Sequence, residues 1–210
     1  MRWIDVTIPM MPGMTVWPGD PAFTLAPAAR IADGANCNVS TLTLSTHTGT
    51  HCDAPWHFED SGKKLDEIDT SVFFGDALVI DLPNVDMIRA DDLRPETLPP
   101  RVLFKTRNSG YPINAPFNKD YVALDRCAAQ RCVDDGVRLV GVDYLSVAPY
   151  KQPQQPTHHI LLQANVFVVE GLSLNQIAAG TYPFVVLPMH VAGADGAPCR
   201  AFIGIEEHRA

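Results

Sequence analysis

Ser45-Thr46-His47-Thr48-Gly49-Thr50-His51-Cys52-Asp53-Ala54-Pro55-Trp56-His57-Phe58 packs three histidines and an aspartate into eleven residues. These are the side chains that bind divalent transition metals and move protons near neutral pH. They stand at 47, 51, 53 and 57, all odd, so on an extended backbone all four start on one face. A straight strand over this span is roughly 33 Å long, whereas ligands of one ion converge to about 2.0–2.2 Å from it. The chain therefore bends between them, and Gly49 and Pro55 are the residues that permit a bend. Spacing and metal geometry agree only in a curled loop or bulged strand around an ion. Cys52 falls on the opposite face by parity, which favours a buried small residue over a soft ligand.

A second cluster, Pro156-Thr157-His158-His159, precedes an apolar strand that ends in Glu170. An ionised Glu buried there needs a compensating charge, such as a metal; an exposed strand-end Glu needs none. A histidine pair in a proline-rich loop is by itself more often at the surface or hydrogen-bonded than ligating. The density of the first cluster tips both toward ligation, because His47, His51 and Asp53 still want further ligands or a water.

The surrounding chain has β-rich runs at 3–8, 39–45, 77–82, 102–105, 137–142, 166–169, 184–187 and 201–205. The clearest helix is 125–135, with Asp125 as N-cap and Gly136 suited to the C′ position. Its apolar stripe includes Cys127 and Cys132, both expected in the helix core. Shorter helices are expected near 66–74 and 173–178. Eighteen prolines mark long ordered loops, notably at 10–27, 94–100 and 150–156. No repeat or linker divides the chain, so one α/β domain over 1–210 is expected, richer in strand than helix, with a mixed sheet closed or nearly closed on itself.

A net charge of −8 argues against a nucleic-acid surface, and no apolar run approaches the length of a membrane span. Five cysteines without C-x-x-C spacing, and no signal-peptide pattern, point to a reduced cytoplasmic protein with free thiols. Asp143 ends a strand, where it suits either a turn cap or an acceptor orienting a ligand histidine; His190 is expected to be structural.

His47-Thr-Gly-Thr-His51-Cys-Asp53-Ala-Pro-Trp-His57 has the form His-x-Gly-Thr-His-x-Asp-x-Pro-x-His, and so resembles the signature of the metal-dependent cyclase-like amidohydrolases, a family that includes bacterial arylformamidases. Thr15 to Asp20, Gly141 to Asp143 with Ser146-Val147, His158 to Gly171, Leu187-Pro188 and Gly193 to Pro198 extend the resemblance over nearly the whole chain. It implies a swivelling β/β/α fold assembling as homodimers or homotetramers. It also implies two divalent ions, zinc or manganese, with His47 and His51 on the first, Asp53 bridging, His158 on the second and Glu170 on one or both. His158 is preferred to His159 because the family's histidine stands three residues before the first Leu of the Leu161-Leu162 pair. His57 would be the acid/base, and Trp17 would line the pocket against a small aromatic amide. The implied reaction is hydrolysis of the formamide of N-formyl-L-kynurenine, with another amide, an isatin-like lactam or a lactone as the alternative. The segments 143–150 and 193–198 look more like the broader family than the dedicated formamidases, and 108–118 is unlike what is expected of the latter. A metal-stabilised binding protein without catalysis is the remaining class, and it leaves His57 without a task.

Overall fold

The apolar runs in the middle of the chain become parallel strands buried on both faces. The computed structural model describes residues 1–206, and its elements in chain order are β1 (Arg2–Asp5), β2 (Thr24–Ala29), β3 (Val39–Thr43), β4 (His51–Asp53), β5 (Phe74–Leu82), β6 (Arg101–Thr106), α1 (Arg126–Asp134), β7 (Leu139–Val142), α2 (Pro156–Gln163), β8 (Phe167–Glu170), β9 (Gly180–Pro188) and β10 (Gly196–Ile205). Strands β5, β6, β7 and β8 pair in sequence order, all parallel. Antiparallel pairings β8–β4, β4–β10, β10–β9 and β9–β5 then close a ring of seven strands, with β1 added outside on β10. This is the mixed, barrel-like α/β arrangement expected from the sequence.

Strand periodicity explains the two cores. Val79, Leu103, Leu139, Phe167 and Val169 point into the ring and meet Phe184, Val186, Ala201 and Ile203. Their neighbours Ile80, Val102, Phe104, Val140, Val142 and Val168 point outward, under Ala128, Ala129 and Cys132 of α1 and Leu161 and Leu162 of α2. Parallel strands covered on both faces need apolar residues at every position, so these segments read as continuous runs rather than alternations. Strands β2 and β3 form a separate two-stranded arm whose residues are almost all exposed.

Helix α1 forms where expected. The Asp125 carboxylate accepts from the Ala128 amide at 2.7 Å, and Gly136 stops the helix at φ +76°. Cys132 is buried in it, but Cys127 is exposed, against expectation. The proline-rich loop before His158 turns out to include a helix: Pro156 opens α2, its missing N–H costing nothing in a first turn. The helix expected at 66–74 is instead two 3₁₀ turns, Leu65–Glu67 and Thr70–Phe73, the second capped by Asp69. The one expected at 173–178 is a single turn closed by the Ile177 amide on the Leu174 carbonyl. All five cysteines are free. No helix among the described residues is long and apolar enough to cross a membrane.

Candidate active site

The eleven-residue motif bends at its glycine and its proline. Gly49 takes φ +70°, three residues of strand β4 follow, and Pro55 opens the 3₁₀ turn Pro55–His57. Strand β4 is held on both sides. It pairs with β8, setting His51 opposite Glu170, and with β10, setting Asp53 opposite Gly196. Helix α2 brings His158 over the same spot. His51, Asp53, His158 and Glu170 are all buried, a combination uncommon for such polar side chains without mutual pairing.

Two donor sets share one residue. His47, His51 and Asp53 form the first and Asp53, His158 and Glu170 the second, with the ligand-type atoms of each set within 4.8 Å of one another. His51 Nε2 lies 3.2 Å from Glu170 Oε2 and 3.7 Å from Asp53 Oδ1, and His158 Nε2 lies 3.3 Å from Glu170 Oε1 and 3.9 Å from Asp53 Oδ2. His47 Nδ1 is 2.9 Å from Asp53 Oδ1. Because the Gly49 carbonyl can only accept, His51 donates its Nδ1–H there at 2.9 Å. A neutral His51 thus presents the Nε2 lone pair to two carboxylates, a clash of acceptors that a cation between them resolves. Asp53 Oδ2 is buried with no hydrogen-bond partner among the described residues, as a carboxylate oxygen reserved for a cation would be. Imidazole and carboxylate donors at this spacing fit divalent metal ions.

The electrostatics point the same way. Burial works against a charged His47, yet the Asp53 and Asp195 carboxylates outweigh it and raise its pKa to about 9. Burial also opposes charge on His51, whose pKa is raised by Glu170 and Asp53. Burial favours neutral Asp53 and Glu170, but the surrounding histidines hold both below the ordinary carboxylate range. His57 goes the other way: burial, aided by repulsion from His47 and His158, outweighs Asp53 and lowers its pKa, leaving the ring neutral near pH 7. Glu170 is further fixed by the Val147 amide, which donates to Oε1 at 2.6 Å.

These groups open onto a cavity of about 380 Å³ whose walls include Trp17, His57, Phe58 and Leu145. Trp17 packs edge-on against Phe117 at 5.2 Å and Tyr150 at 5.6 Å, so its ring is braced from behind. Phe58 stacks on His158 at 4.2 Å. His159 points away and pairs with Glu59 at 2.5 Å. Asp143 orients no histidine among the described residues. It accepts from the amides of Thr106 and Ser109 and from both hydroxyls, anchoring the loop after β6. His190 is exposed and Cys52 is buried, its thiol on the Ala197 carbonyl. Sequence reasoning missed Phe58 and Asp195. The latter lies 2.9 Å from His47 Nε2, and its only signal was an acidic residue between small ones in Gly193-Ala-Asp195-Gly-Ala.

The Cyclase family model matches residues 4–149. The chain is 34% identical over 204 residues to the kynurenine formamidase of Bacillus thuringiensis (strain Al Hakam), covering 96% of this chain and 97% of that one. It is 35% identical over 199 residues to the kynurenine formamidase of Geobacillus thermodenitrificans (strain NG80-2), covering 95% of each. A solved structure described as a predicted metal-dependent hydrolase from Bacillus stearothermophilus superposes with a TM-score of 0.82 at 31% identity, covering 96% of this chain and 97% of that one. Isatin hydrolase A from Ralstonia solanacearum shares the fold, with a TM-score of 0.81 at 22% identity over 96% of this chain and 91% of that one. With the family model spanning most of the chain and relatives matching end to end, this protein belongs to the Cyclase family.

Proposed function

We propose that this protein is a metal-dependent amidohydrolase that cleaves the formamide bond of N-formyl-L-kynurenine, giving kynurenine and formate. The observation that carries the reading is Asp53, shared by two histidine–carboxylate sets whose other members, His47, His51, His158 and Glu170, line an aromatic-walled cavity. Kynurenine formamidases matched over nearly the full length of both chains supply the substrate. His47 and His51 would hold one divalent ion, Asp53 would bridge, and His158 and Glu170 would hold the second. Zinc suits this donor set best and manganese next. The whole of residues 1–210 acts as one catalytic unit in this reading.

A bound divalent ion supplies Lewis acidity, bringing the pKa of water toward 7 and polarising a carbonyl. The protein's own residues do the rest. Trp17 and Phe58 offer flat apolar surface to the aryl ring of the substrate. His57, neutral near pH 7, accepts the proton of the attacking water and returns it to the departing nitrogen. Water adds to the formyl carbon, the C–N bond breaks, and formate and an aryl amine leave. An aryl amine departs more readily than an alkyl amine, so one histidine suffices as acid and base.

Two further features belong to this reading. Leu25, Val39 and Leu42 on the arm are 46–56% exposed, and a two-stranded ribbon is marginal by itself, which favours a homodimer or homotetramer burying it. Five free cysteines suit a reducing cytoplasm. The decisive experiment is hydrolysis of N-formyl-L-kynurenine by the purified, zinc-loaded protein, followed by the absorbance of kynurenine. Turnover abolished by a chelator is the expected result. A folded, metal-replete protein that leaves this substrate intact overturns the assignment, and isatin would be tested next.

A further inference from the structure

One carboxylate beside the site belongs to neither set around Asp53. Asp195 lies just before β10, and its backbone is fixed: its carbonyl accepts from the Ala54 amide at 2.9 Å. The next residue, Gly196, lies so close that a Cβ there would overlap the Cys52 carbonyl oxygen and stand 2.9 Å from His47 Cε1. Asp195 Oδ2 then faces two histidines at once. It is 2.9 Å from His47 Nε2 and 3.6 Å from His57 Nδ1, and the two rings stack with centroids 3.9 Å apart and planes at 28°.

We propose that Asp195 is a positioning residue that holds His47 and His57 as one stacked pair through a single carboxylate oxygen, aiming His47 at the ion and His57 at the substrate. The His47 half follows from donor geometry. A carboxylate only accepts, so His47 donates Nε2–H to Asp195, and the Nδ1 that faces Asp53 and the first donor set is the nitrogen whose proton an ion would replace. The His57 half rests on the hydrolase reading above. At 3.6 Å its contact is electrostatic rather than a hydrogen bond, but it fixes which nitrogen faces the carboxylate. With the proton on Nδ1, His57 has Nε2 free as acceptor, and the ring borders the cavity. Without Asp195 the imidazole turns about a soft, two-fold χ2 and presents carbon as readily as nitrogen. Asp195 itself is not part of the cavity wall, so it acts through the histidines and not on the substrate.

His47, His57 and Asp195 also lie close enough to form a ligand set of their own. Positioning is favoured because Asp195 Oδ2 already has His47 as partner, whereas the buried carboxylate oxygen left unpartnered among the described residues is Asp53 Oδ2.

The test is a cycle of Asp195→Ala and His57→Ala, singly and together, with Asp195→Asn as the near-isosteric variant should the alanine fold poorly. Three quantities are read: kcat and KM, zinc affinity by competition with a chromophoric chelator, and zinc stoichiometry at saturation. Asp195→Ala is expected to lower kcat by about 10–100-fold with KM within about twofold, and to weaken zinc about tenfold with stoichiometry unchanged. In the His57→Ala background, Asp195→Ala should change kcat by less than about twofold while still weakening zinc about tenfold. Multiplying kcat losses, unaltered zinc affinity, or loss of a whole ion from the stoichiometry would each overturn the proposal. Zinc competition needs no substrate, so failure of the N-formyl-L-kynurenine assignment and failure of this proposal are separately visible.

Discussion

Replacing Gly196 by Ala adds one methyl at the tightest point between β10 and the metal-site strand. That methyl would overlap the Cys52 carbonyl oxygen and sit 2.9 Å from His47 Cε1, where ordinary contacts run from 3.4 Å. The carbonyl cannot rotate aside, because β4 is hydrogen-bonded to β8 on its other edge. Relief requires β10 to shift at the Gly196–Asp53 pairing, and with it the Asp195 carboxylate and the His47 ring. Overpacking of this kind costs about 2–3 kcal/mol. At about 2–4 °C per kcal/mol for a chain of this size, Tm should fall by roughly 4–12 °C. A displaced His47 should also weaken metal about tenfold, removing about 1.4 kcal/mol of the stabilisation by bound zinc. Gly193→Ala is the control. Its φ is +75° with nothing within 4 Å of the added Cβ, so it pays only the left-handed backbone cost, about 1–2 kcal/mol. Calorimetric melts of both variants, with zinc and with chelator, separate the cases. If Gly196→Ala melts within about 2 °C of the parent, or if both variants keep the full increment from zinc, the steric argument is wrong.

His57→Ala should lower turnover by about 10²–10⁴-fold while zinc content and Tm stay close to the parent; parallel losses of all three would make His57 structural instead. Trp17→Ala removes a cavity wall that is braced by Phe117 and Tyr150, and should raise KM for an aromatic formamide more than it lowers kcat, as steady-state kinetics will read. The pH dependence of stability should change sign with metal. In chelator, the folded chain holds a proton on His47 up to about pH 9 against a usual 6.5. Stability from this group is therefore complete below pH 6.5 and lost as pH rises through about 9, at most about 3 kcal/mol. With zinc present, protons compete for the same nitrogens, so stability should instead rise with pH from about 6. Melts at pH 6, 7.5 and 9 with and without zinc check this, and parallel slopes would refute it.

The site was legible where chemistry crowds the sequence, and illegible where topology makes it. His47, His51, Asp53 and His57 announce themselves within one turn-and-strand segment, and the bends at Gly49 and Pro55 follow from the length of an extended chain. His158 and Glu170 gained meaning from that cluster, but the helix carrying His158 was hidden. Prolines at 153 and 156 read as loop until one of them is seen at a helix start, where proline is at home. Asp195 was invisible because its partner is 148 residues away across the β4–β10 pairing. The strands β5 to β8 were read from their apolar runs, whereas β4 is three residues, two of them the polar His51 and Asp53, and carries no apolar run. The arm strand β2 has a proline and little bulk, so neither propensity nor burial marks it.

Strand β10 pairs with three others, β1, β4 and β9, and it is the piece that turns an open sheet into a ring. This sets an order of events in folding. Until β10 arrives, β4 and β9 offer free edges and Asp195 is absent from His47, and the β4–β8 pairing that β10 extends itself joins residues more than a hundred apart. Such distant closures are slow steps. Because Asp53 on β4 lies more than a hundred residues in sequence from His158 on α2 and Glu170 on β8, an ion would find both donor sets together only after that closure and would not seed folding. Zinc should leave the refolding rate almost unchanged and slow unfolding by nearly its whole contribution to stability, a division that stopped-flow refolding and unfolding in the presence of zinc and of chelator would reveal.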